Sequence, residues 1–183
     1  MKKLLLFSVL IVFAFLANAQ STTTTASTAT YKAFKVDVDL GYAGPSSGTA
    51  EAGAAFTIEP HYRLSDDFAL GLRLEGAALV YKNSAGKNKG SLLSSYCASA
   101  DYYLAENGFR PFIGAGVGLF DQQSVSGNSG NVALVPGGTN FGVFPRIGFE
   151  TGHFRFSADY DVAGNNSNYF AITLGVFFGG GKK

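Results

Sequence analysis

Phe109-Arg110-Pro111-Phe112-Ile113-Gly114-Ala115-Gly116-Val117-Gly118-Leu119-Phe120 is the stretch that decides how the chain is read. As a strand it sends Ile113, Ala115, Val117 and Leu119 to one side and Phe112, Gly114, Gly116, Gly118 and Phe120 to the other. Glycine at every second position weakens an isolated strand, because it adds backbone entropy and packs nothing. Such a row fits where the inner face must stay empty or admit bulky neighbours, as in the wall of a small, crowded barrel. The apolar set then faces outward and needs something other than water.

Composition points the same way. The chain has 183 residues, enough for one domain, and a net charge of +1. That charge gives no long-range field for nucleic acid or an acidic partner. Glycine reaches 24 residues, aromatics 14% and charged residues only 15%. This balance suits an all-β wall better than a helical core. Cys97 is the single cysteine, so no internal disulfide or thiol metal cluster can form, and it reads as an inert inward residue.

Lys2 and Lys3, the apolar run Leu4 to Leu16 and Ala17-Asn18-Ala19 read as a signal peptide cut after Ala19. No cysteine follows the cut, which argues against a lipoprotein anchor. No later segment supplies the roughly 20 apolar residues that a transmembrane helix needs. Residues 20–32, rich in serine and threonine, are expected to be a flexible lead-in. Residues 33–178 are expected to form the barrel and 179–183 a Gly/Lys tail.

Eight alternating segments follow, at about 33–43, 54–64, 68–80, 91–104, 109–120, 140–150, 154–162 and 169–178. The first shows the pattern plainly: Phe34, Val36, Val38, Leu40 and Tyr42 alternate with Lys35, Asp37, Asp39 and Gly41. Pro60 removes one ladder donor, and a local bulge is expected there. Turns near Asp66, Asn107 and Gly152 are short. Connections near Ser47, Asn88, Ser129 and Asn165 are longer, and 121–139 is expected to be the longest loop. The pattern predicts an all-β, eight-stranded, antiparallel up-and-down transmembrane β-barrel with both termini on the short-turn side.

Aromatics gather at the outward strand ends: Phe34, Tyr62, Phe68, Tyr102, Phe149, Phe154 and Phe178 near the turns, and Tyr42, Phe141, Tyr160 and Phe170 near the loops. Two such bands match the girdles at membrane interfaces. A soluble secreted lipocalin-like barrel would turn this face inward. Eight apolar faces rich in Phe, Tyr and Leu would overfill so small an interior.

The Arg110 to Gly118 segment resembles the recurrent strand of small outer-membrane β-barrel proteins of the OmpA/OmpX/OmpW type. The pattern of the resemblance extends from Ala33 to Phe178. It implies a Gram-negative cell outer membrane, contact with outer-membrane lipid and insertion by the barrel-assembly machinery. Family members often end on an aromatic residue read by that machinery, a part that would fall to Phe178, with five residues after it. The fold hosts adhesins, lipid-modifying enzymes, small-solute channels and plain structural proteins, so it implies no one activity.

Function must therefore come from the lumen and the loops. The inward charges are Lys35, Asp37, Asp39, Glu59, His61, Arg63, Arg73, Glu75, Asp101, Arg146, Glu150, Arg155, Asp159 and Asp161. Buried charges must be paired, so a structural ion-pair network is expected, centred on Arg63, Arg73, Glu75, Asp101, Arg146, Glu150, Arg155 and Asp159. No catalytic, cofactor or metal site is expected: a metal usually needs three or more converging ligands, and His61 and His153 are the only histidines. His153 sits in a short turn, and Ser157 lies four residues on, a spacing that along a strand is too long for a direct bond. The expected role is structural or interactional: a monomer presenting four outer loops over a charge-filled lumen, with a contact site for an extracellular partner at 121–139. The alternatives are a narrow channel for small or apolar solutes, a soluble ligand binder and a lipid-acting barrel enzyme.

Overall fold

The structure, a computed structural model, describes residues 30–46, 50–82, 88–128, 131–164 and 168–182. The expected signal peptide and nearly all of the lead-in lie outside the described residues. Eight strands form: β1 (Phe34–Pro45), β2 (Ala50–Arg63), β3 (Phe68–Lys82), β4 (Asn88–Tyr103), β5 (Phe109–Asn128), β6 (Asn131–Thr151), β7 (Phe154–Asp161) and β8 (Tyr169–Gly179). Each pairs antiparallel with its neighbour in sequence, and β1 pairs with β8, so the sheet closes into a barrel. Closure removes every sheet edge along the paired length and satisfies the backbone polar groups within the wall.

The two faces divide by polarity, inverted relative to a soluble protein. Phe141 is 70% exposed, Leu40 64%, Phe178 63% and Ile147 62%, whereas Asp37, Asp101 and Lys35 are fully buried. An apolar surface wrapped around a charged interior requires a lipid solvent. This placement is incompatible with the soluble lipocalin-like alternative, which needs the aromatic face inside.

Register builds the girdles. Phe34 stands opposite Tyr62, Phe68 opposite Tyr102, and Tyr160 opposite Phe170. Phe170 also lies against Tyr42, with ring centroids 5.7 Å apart. Phe34 and Tyr42 are eight residues apart on β1. That is roughly 26 Å along the strand and roughly 20 Å along the normal at a tilt of about 40°, near the height of a lipid-facing band.

Glycine in β5 makes room for bulk from neighbouring strands. A Cβ on Gly116 would fall 2.3 Å from the Phe144 ring, and one on Gly114 would fall 2.2 Å from Asp101 Oδ1. Phe144 stands directly opposite Gly116, and Phe112 directly opposite Gly148. The open glycine positions are thus filled by side chains from the next strand.

Three expectations change. Residues 121–139 are largely strand rather than loop: β5 and β6 keep pairing up to Asn128 and Asn131. The Pro136-Gly137-Gly138 segment, which looks like a turn, is absorbed by a register shift between Gln122 and Gln123, with Gly138 at φ 114°. Backbone pairing there is supported on the other side of β5 by β4, as far as Gly90 opposite Val125. The bulge expected at Pro60 is absent, because Ile58–Leu74 and His61–Gly71 keep one register across it; the shift in β2 lies between Glu51 and Gly53. Finally, the end of the lead-in is fixed. Tyr31 bridges to Lys182, its hydroxyl donates to Glu106 O at 2.6 Å, and Thr30 and Tyr31 donate their backbone N–H groups to Asp66.

Candidate functional site: a bridged lumen

The inward positions of all eight strands place the predicted charges in one interior. Arg63, Arg73, Glu75, Asp101, Arg146, Glu150, Arg155 and Asp159 are all buried, as are Lys35, Asp37, Asp39, Glu59, His61 and Asp161. The pairing has three levels.

Nearest the short turns, Glu150 on β6 gathers cations from around the ring. Arg63 Nη2 lies 3.1 Å from its Oε2, Arg155 Nη1 lies 2.7 Å from its Oε1, and Lys35 Nζ donates to Oε1. The Tyr103 hydroxyl adds a bond of 2.7 Å. Lys35 also pairs with Asp37 at 3.0 Å.

At mid-height, Arg146 Nη1 and Nη2 donate to Glu59 Oε2 and Oε1 at 2.6 and 2.9 Å, a two-pronged arrangement. Arg146 Nε donates to Asp101 Oδ1 at 2.7 Å, and Arg155 Nη2 reaches Asp101 Oδ2 at 2.8 Å. Ser99 donates to Glu59. Nearest the loops, Arg73 pairs with Asp161 and lies 3.6 Å from Glu75 and 4.0 Å from Asp159. Glu75 is held by the Thr57 and Tyr169 hydroxyls at 3.1 and 2.5 Å, and the Ser157 hydroxyl donates to Asp159 at 2.8 Å.

In a ring of eight, strands four apart face each other across the full diameter. Arg63–Glu150 and Arg146–Glu59 join β2 to β6, and Arg73–Asp161 joins β3 to β7. The lumen is therefore crossed on its axis at three heights. Arg73 also stacks on Phe144, 3.6 Å from the ring centroid, and Arg155 on Phe112 at 4.0 Å. Beyond Arg73, an apolar cluster of Ala43, Ala55, Ala77, Leu79, Leu93, Tyr169 and Ala171 packs toward the loop end.

The interior also holds groups that alternation alone should have shown. Arg110, buried, has the same parity as Phe112 and Gly114, and it lies 3.8 Å from Glu150. Tyr169 shares parity with Ala171 and Thr173, both buried. His61 sits among carboxylates, with Nε2 2.9 Å from Asp37 and 3.4 Å from Glu59, and Nδ1 3.8 Å from Asp101. Asp37, Glu59 and His61 bring one donor atom each within 4.8 Å of one another, spacing that a metal ion could bridge. Their carboxylates are already held by Lys35, Arg146 and Arg155, so an added cation would compete with three fixed ones. His153 and Ser157 go separate ways: His153 Nδ1 lies 3.2 Å from Phe177 O at the barrel mouth, and Ser157 serves Asp159 inside.

No protein-family model matches this sequence, and no curated protein matches it. Solved structures do resemble its fold. Neisserial surface protein A (NspA) aligns with a TM-score of 0.58 at 19% identity, covering 81% of this chain and 98% of that one. Ail, the attachment invasion locus protein of Yersinia pestis, aligns at 0.50 and 12%, covering 80% and 100%. The N-terminal β-barrel domain of Pseudomonas aeruginosa OprF aligns at 0.47 and 18%, covering 81% and 99%. Inverted polarity, closure at eight strands and this structural likeness together give the chain the fold of the small outer-membrane β-barrels of the OmpA/OmpX type.

Proposed function

We propose that this protein is a monomeric outer-membrane scaffold whose rigid, non-conducting barrel holds its outer loops, above all the β5–β6 hairpin, at the cell surface. The single observation that carries the reading is the Arg146–Glu59 pair, which spans the lumen between opposite walls. A charge pair fixed across a narrow, low-dielectric interior stiffens the wall and obstructs a solute path. This weighs against the narrow-channel alternative. The separation of His153 from Ser157 weighs against a lipid-acting enzyme built on that pair.

Interaction then falls to the loop end. Residues 121–128 and 131–139 form a paired ribbon in which Asp121 accepts hydrogen bonds from Gln123 and Thr139, each at 3.0 Å. Val135 is half exposed on it. A stiff ribbon presents a contact surface with less ordering cost than a free loop. Outward Phe178, beside Val36 in the β1–β8 seam, is the aromatic residue offered to the assembly machinery.

The test is an epitope inserted between Asn128 and Asn131, probed in intact cells. The reading expects antibody access without permeabilisation and the protein in the outer-membrane fraction. Access only after lysis, or recovery in the soluble fraction, would overturn it.

A further inference from the structure

The mouth on the short-turn side is a cavity of about 280 Å³ whose walls include Arg63, Arg110, His153, Phe177, Gly181 and Lys182. It lies at the small end of ligand pockets, with room for one polar head and a few carbons. Its charge is unbalanced. Its lining carries three cations, Arg63, Arg110 and Lys182, against one carboxylate, Glu150. Glu150 alone lies within 4 Å of Lys35, Arg63, Arg110 and Arg155.

Arg110 is the more weakly paired of the two buried ones: its Nη1 lies 3.8 Å from Glu150 Oε2, too far for a hydrogen bond, whereas Arg63 Nη2 lies 3.1 Å from the same oxygen. Arg110 Nε donates to Ala105 O at 3.2 Å, and one terminal nitrogen donates to Asp66 O. The other terminal nitrogen, Nη1, is buried without a hydrogen-bond partner among the described residues. The guanidinium plane is fixed between Tyr31 and Tyr103, 4.1 and 4.2 Å from the two ring centroids. A buried donor with no acceptor is costly, and a pre-oriented guanidinium is suited to an oxyanion. Lys182 adds a second cation at the exposed rim, 3.2 Å from Asn107 Oδ1. Tyr31 and Phe177 supply apolar wall.

We infer that this mouth binds a small anion, a carboxylate or phosphate group with a short apolar extension, held by Arg110 and Lys182. Such a group can come from a soluble periplasmic anion or from the headgroup of a lipid. One anion offsets the excess of cations in the lining and supplies the hydrogen-bond acceptor that Arg110 Nη1 lacks. Arg63 stays with Glu150 and Gly180 O and shapes the floor.

The test is an amide and arginine side-chain NMR titration of the folded full chain at constant ionic strength. One arm uses lipid-free micelles titrated with inorganic phosphate, then with succinate. The other uses nanodiscs of zwitterionic lipid with and without an anionic phospholipid. The expected result is saturable shifts at Arg110, Gly180 and Gly181. Saturation in micelles identifies a soluble anion, and shifts seen only with anionic lipid identify a headgroup; both uphold the site. Gly181→Leu adds a bulky side chain to the cavity lining, at a position where a Cβ meets nothing within 4 Å, and leaves every cation in place. It should abolish the shifts, and Lys182→Gln should weaken them about fivefold. Arg110→Gln should abolish them too, and if that variant fails to fold, Gly181→Leu decides. No saturation in either arm, or unchanged binding in Gly181→Leu, overturns the inference.

Discussion

Arg146 on β6 reaches Glu59 on the opposite wall, β2, through two hydrogen bonds of 2.6 and 2.9 Å, while its Nε holds Asp101 at 2.7 Å. One guanidinium thus ties three strands, β2, β4 and β6, at the middle of the barrel. Removing either partner leaves a buried, uncompensated charge. Arg146→Ala and Glu59→Ala should each destabilise the folded barrel by about 3–5 kcal/mol. Pairing Arg146→Met with Glu59→Leu should recover much of the loss, because no lone charge remains. Urea unfolding in lipid vesicles, followed by gel mobility without boiling, measures both.

Gly116 should tolerate no side chain. A Cβ there meets the Phe144 ring at 2.3 Å and the Ala98 carbonyl oxygen at 2.7 Å. Gly116→Ala is expected to cost about 1–3 kcal/mol through displacement of the wall. Phe144→Leu in the same chain should relieve only part, since the Ala98 carbonyl belongs to the β4 backbone. The same unfolding assay gives the answer.

The outward face should reject charge. Val117 is half exposed at the middle of β5. Val117→Arg should cost about 2–4 kcal/mol in a bilayer, and the same change at a strand end far less. Comparing it with Phe109→Arg at the turn-side end separates membrane burial from loss of an apolar side chain.

Asp66 gives a pH handle outside the membrane span. Slight desolvation works to raise its carboxyl, but the Thr30 and Tyr31 backbone donors at 2.7 and 3.1 Å outweigh it and hold it below the ordinary carboxylate range. A depressed folded value means the stabilisation is present above the unfolded value and is lost as pH falls through the folded one. Amide exchange at Tyr31 should therefore quicken as pH drops below the ordinary carboxylate range, after correction for intrinsic rates. Asp66→Asn should remove that dependence.

Much of this architecture could be read from alternation, because side-chain parity is fixed by the strand itself. Phe34 to Tyr42 and the Gly-x-Gly row of β5 show which residues share a face without any partner; the aromatic bands and the volume of eight apolar faces tell which face is outward. Partners across the lumen were not legible. That Arg146 meets Glu59 depends on strand tilt and stagger around the closed ring, which no single strand encodes. Arg110 has the parity of Phe112, so alternation assigns it to the lumen as well, even at the second residue of its strand. The β5–β6 ribbon reads as a loop because 121–139 is rich in glycine, serine and asparagine, yet it pairs, and a register shift accommodates Pro136, Gly137 and Gly138. Ladder hydrogen bonds need no apolar side chains, so a polar sequence outside the membrane can pair as well as an apolar one within it.

The most direct test of the bridged lumen is single-channel recording of the purified, folded protein in a planar bilayer. Three bridges across the axis predict no steady conductance in the native protein. A stable, ohmic conductance from the native chain, persisting after its heat-modifiable band is shown to be pure, would contradict the account.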